Sequence, residues 1–200
     1  MEEIIGKDFN TIVIVGNWNI PIFTPDWVHQ NLFSSPNRDL EVEYPNQIIG
    51  ASFRFTQHPL CFSIVNNRFQ LSIIENTDAA RLEAIEFVQK LLRLLVHTPV
   101  TSTGINFRFR QDMTDDALHE NTLLQLDELH PILSKVVTEQ YKYSDNVVLT
   151  YKKEIMPDAI VHDFNYSFDT QNIQVLLGLI EADGMINALH VKTKAILDIE

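Results

Sequence analysis

From Ile105 to Arg110 the chain alternates without a break: Ile105, Phe107 and Phe109 stand on one phase, Asn106, Arg108 and Arg110 on the other. Only a strand with one buried face uses that period, because successive side chains leave a strand on opposite sides. A slip of one residue would carry two guanidinium groups into an apolar layer, so the phase is tightly constrained. The stretch 49–74 shows the same period, with Phe53 and Phe55 out of phase with Ser52, Arg54 and Thr56. Within it, 61–65 and 68–74 predict a hairpin about Asn66-Asn67, since asparagine tolerates the positive φ of a tight turn.

Helix signals separate these runs. Thr24-Pro25-Asp26 predicts a start, with a capping hydroxyl, a proline at the first helical position and an acid at the positive helix end. Thr77 caps a helix predicted over 78–96, whose stripe includes Leu82, Ile85, Val88 and Leu92. Strands are predicted over 147–155 and 159–168 around Met156-Pro157-Asp158, and a long helix over 171–190, weakened by Gly178 and Gly184. Residues 111–145 are polar and mixed, with a helical turn expected at 112–120. The layout predicts an α+β chain of antiparallel sheets with long helices packed on one face. It has two strand-plus-helix units, sharing an extended sheet or packing sheet edge to sheet edge: 1–110, then a connecting segment 111–130, then an acidic unit 131–200.

Composition narrows the function classes. The 200 residues carry 15 Lys+Arg against 27 Asp+Glu, a formal charge of −12, which repels nucleic acid and anionic lipid at long range. The acidity is lopsided: 1–110 is net −2 and 111–200 net −10. The single cysteine, Cys61, forms neither an intramolecular disulfide nor a cysteine zinc site, and is expected in a strand core. The apolar run 12–15 is too short for a signal-peptide core and 175–180 too short to span a bilayer, so a cytoplasmic protein is expected.

The element order, with Glu43-Tyr44-Pro45, Phe53-Arg54-Phe55, the Asn66-Asn67 hairpin, Thr103-Gly104-Ile105-Asn106-Phe107-Arg108-Phe109 and Val161-His162-Asp163-Phe164, resembles a sporadically distributed family of uncharacterised bacterial proteins. That resemblance covers most of the chain and implies no activity and no catalytic residue.

No phosphate-cradling glycine loop, nucleophile elbow, His-Glu-x-x-His or paired-cysteine spacing occurs. One local cluster has metal-ligand chemistry: Asp115 and His119 are four apart on a predicted helix, beside Asp116. Metal-assisted hydrolysis there is one alternative, set against a plain acidic first turn. Four of seven arginines, Arg54, Arg68, Arg108 and Arg110, share the polar phase of predicted strands and form a basic sheet face in an acidic protein. Such a face suits acidic groups of the same chain or a partner, or a phosphate or nucleic-acid ligand, against the plain alternative of a solvated surface. The reading that follows is a non-catalytic interaction or assembly protein, self-associating or bound to a protein partner, with no cofactor.

Overall fold

The computed structural model describes residues 1–33, 38–44, 51–113, 134–168, 172–181 and 185–198. Its strands are β1 (Glu2–Glu3), β2 (Ile12–Gly16), β3 (Glu41–Glu43), β4 (Ala51–Gln57), β5 (Leu60–Val65), β6 (Arg68–Ile73), β7 (Val100–Asp112), β8 (Lys135–Ser144), β9 (Val147–Ile155) and β10 (Ala159–Phe168). Its α-helices are α1 (Pro25–Asn31), α2 (Asp78–Leu94), α3 (Ile173–Glu181) and α4 (Met185–Ile196).

All ten strands lie in one sheet, ordered β3-β4-β5-β6-β2-β7-β10-β9-β8, with β1 paired to β7. Every pairing among the described strands is antiparallel. On one side of the β2/β7 junction β2 is flanked by the last strand of the four-strand run β3-β4-β5-β6, and on the other β7 is flanked by the last strand of the three-strand meander β8-β9-β10; a helical segment follows each run.

One sequence expectation fails here. The ten strands form one mostly antiparallel sheet, in which β7 holds β2 along one edge and β10, from the acidic part of the chain, along the other. Long helices do not cover a face of it. The helices hold 7, 17, 9 and 12 residues, and the one predicted over 171–190 is two segments, α3 and α4. Among the described residues α2 lies against β5 and β6 and α4 against β7, while α2 leans on both α3 and α4.

Local chemistry sets several of these boundaries. The Asn66 and Asn67 turn has φ of 49° and 63°, both positive, as a two-residue hairpin requires. Thr24 and Thr77 accept from the backbone N–H groups of Trp27 and Ala80 at the starts of α1 and α2. The core joins the apolar side of the sheet to the helices. Phe62 is its aromatic centre, with ring centroids 5.0 Å from Phe55, 5.5 Å from Phe69 and 5.3 Å from Phe87. In the other half Phe107, Phe164 and Tyr166 are buried, and the Tyr166 hydroxyl is 2.9 Å from Thr193 Oγ1 on α4. Trp18 is buried against Phe69, with its indole N–H donating to the Ile14 carbonyl, so it is a core anchor.

A basin on the open face of the sheet

The register places Arg54, Arg68, Arg108 and Arg110 on the face opposite the helices, since each is out of phase with a buried phenylalanine beside it. Across this face the second half adds Asp163 opposite Arg108, Asn165 opposite Asn106, and Lys152 opposite Asp163. The polar phase of 161–167 against His162, Phe164, Tyr166 and Phe168 was a legible signal for Asp163 and Asn165. Lys152 sits in the run Tyr151-Lys152-Lys153-Glu154, which alternates in neither hydropathy nor charge.

A loop that sequence reasoning passed over builds the near wall. Residues 4–11 link β1 to β2 and cross the open face. Gly6, at φ 130°, turns the chain where a side chain would be strained. The Gly6 N–H donates to Ile73 O, Ser72 Oγ donates to Lys7 O, and Asn106 Nδ2 donates to Asn10 O at 2.8 Å. The loop thereby sets Asp8 beside Arg54 at 3.3 Å and the Phe9 ring 5.4 Å from the Arg108 guanidinium.

Between this loop and β9 the sheet forms an open basin of about 480 Å³, whose lining includes Phe9, Arg68, Asn106, Arg108, Lys152 and Asn165. Its charges are unevenly satisfied. Arg108 is paired to Asp163, and Lys152 to Glu154 at 2.9 Å. Arg54, outside the basin, meets Glu43 and the basin-lining Asp8, and Arg110 meets Asp158 at 3.0 Å and Asp112 at 3.6 Å. Arg68, exposed at the end of β6, has no hydrogen-bond or ion-pair partner among the described residues. Side-chain amides add donors: Asn165 Nδ2 reaches Asn106 Oδ1 at 2.6 Å, and Gln70 lies on the floor. Close by, Lys7 bonds Glu41 and Glu43, which raises its pKa above the ordinary ammonium value. Burial likewise raises the Cys61 thiol, whose sulfur accepts from Thr56 Oγ1 at 3.3 Å, so it stays protonated at neutral pH.

The basin lining includes no histidine or cysteine. His162, on the opposite face of β10 from Asp163, is buried, and its Nδ1 is 2.8 Å from the Tyr151 hydroxyl. Burial pushes the imidazole down to about 4 and the phenol up to about 12, so the pair stays neutral across the physiological range. The cluster Asp115, Asp116 and His119 lies outside the described residues. Among the described residues no three of His, Cys, Asp and Glu gather into a metal-binding group, and no helix is long and apolar enough to cross a membrane. No family model, curated protein or solved structure matches the chain.

Proposed function

We propose that this chain is a non-catalytic binding protein whose open-face basin takes a small polar molecule bearing one phosphate or carboxylate group. The observation that carries this reading is Arg68, a guanidinium without a partner among the described residues, at the rim of a basin whose other cations already hold carboxylates. A planar guanidinium fork matches an oxyanion in bidentate fashion, while the amides of Asn106, Asn165 and Gln70 suit hydroxyl or carbonyl groups on the rest of the molecule. The Phe9 ring supplies one apolar wall. An extended polyanion fits poorly: three of the four face arginines are already paired, and a net charge of −12 opposes its approach.

The test is differential. Inorganic phosphate at millimolar concentration, compared with chloride at equal ionic strength, should raise the melting temperature of the native chain and leave Arg68→Gln unmoved. Equal shifts in both proteins would sink the reading. Salt-sensitive retardation of single-stranded RNA that disappears in Arg68→Gln would replace the small molecule with a nucleic acid.

A further inference from the structure

The two ends of the sheet are built differently. The β3 end is three residues long, and its Glu41 and Glu43 are both held by Lys7. Short, charged edges of this kind resist pairing with another chain. At the other end β8 runs for ten residues without proline or glycine, paired on one side to β9 and on its other side to nothing among the described residues. Val136 and Tyr141, on opposite faces of the strand, are each 50% exposed. Charge also favours this edge as a meeting place. Residues 111–200 are net −10, yet β8 carries Lys135, Glu139 and Lys142, so two copies can approach here without the acidic surface opposing them.

The geometry points to a second copy of this chain as the occupant of the β8 edge, the two strands pairing antiparallel about a two-fold axis at Thr138. An axis normal to the sheet leaves every side chain on its own face, so one residue must stand opposite its own copy. The pairing of β8 with β9 is regular from Lys135 to Lys142 and shifts before Ser144. Two registers use most of that regular run, one centred on Thr138 and one on Glu139. The second sets Glu139 against Glu139, a like-charge pair directly opposed across strands. The first sets Thr138 against Thr138, Val137 against Glu139 and Lys135 against Tyr141, with Lys135 diagonal to Glu139 of the partner copy. The result is one continuous sheet through two copies, with both basins on the same side.

Sedimentation of the full chain at tens of micromolar should give a dimer, and Thr138→Lys should raise its dissociation constant at least tenfold. Cysteine cross-linking reads the register, with the native Cys61 buried and silent. Opposed residues lie about 4.5 to 5.5 Å apart, within disulfide reach, whereas residue 140 would stand about 13 Å from its own copy. Thr138→Cys should therefore form a covalent dimer under mild oxidation and Gln140→Cys should not. A monomer at every concentration, or cross-linking of Gln140→Cys as fast as that of Thr138→Cys, would overturn the inference.

Discussion

The side-chain amide of Asn165 lies directly over Gly104: a Cβ placed on residue 104 would stand 2.8 Å from Asn165 Nδ2. The two residues are on neighbouring strands, β7 and β10, and the missing side chain is what lets the amide lie across the sheet to Asn106. Gly104→Ala should displace that amide, break its 2.6 Å bond to Asn106 Oδ1, and cost about 1 kcal/mol in a urea melt. Phosphate binding should weaken with it. An unchanged melt with unchanged binding would show that the amide bridge is dispensable.

Arginines of one face should separate by their partners. Arg108→Gln leaves Asp163, itself only partly exposed, without its guanidinium, and should destabilise the chain by about 1 kcal/mol. Arg110 pairs with the exposed Asp158 and Asp112, so Arg110→Gln should change stability by less than about 0.5 kcal/mol. Arg68→Gln should leave the melt unaltered while removing the response to phosphate. Chemical denaturation of the three variants side by side checks this order; Arg68→Gln proving the least stable would contradict it.

The N-terminus is held by a buried contact between Glu3 on β1 and His190 Nε2 on α4, 2.8 Å apart and nearly closed to solvent. Glu3→Ala would leave a polar ring atom buried without that partner, at a cost of about 1–3 kcal/mol. Because β1 leads into the loop that walls the basin, amide exchange of residues 4–11 should quicken in the variant. Protection as strong as in the native chain would mean that the Gly6, Ser72 and Asn106 bonds hold the loop unaided.

Burial of His162 has a pH consequence of definite sign. Its folded pKa, about 4, lies below the ordinary value near 6.5, so on acidification the unfolded chain takes the proton first. This contribution to stability is complete above about pH 6.5 and is lost between there and pH 4, at up to about 1.4 kcal/mol per pH unit. His162→Gln should show a shallower loss between pH 7 and pH 5 than the native chain. Parallel curves would place the acid sensitivity elsewhere.

Alternation and capping were legible along the chain because they are local. The phase of Phe53, Phe55, Phe69, Phe107 and Phe109 against the four arginines follows from burying one side of a strand, and Thr24, Thr77 and Asn66-Asn67 mark ends through bonds or dihedrals within a few residues. Strand β8 was missed for the same reason. Most of its residues are exposed on both faces, so no apolar period records a strand that exists through its ladder with β9. Tertiary structure alone decided that β7 and β10 would join the two parts of the chain into one sheet, that residues 4–11 would cross its open face, and that Asp163 would meet Arg108 while Arg68 found no partner among the described residues. Those outcomes depend on pairings between strands up to about a hundred residues apart, and a residue's own neighbours in sequence carry no record of which strand lies beside it.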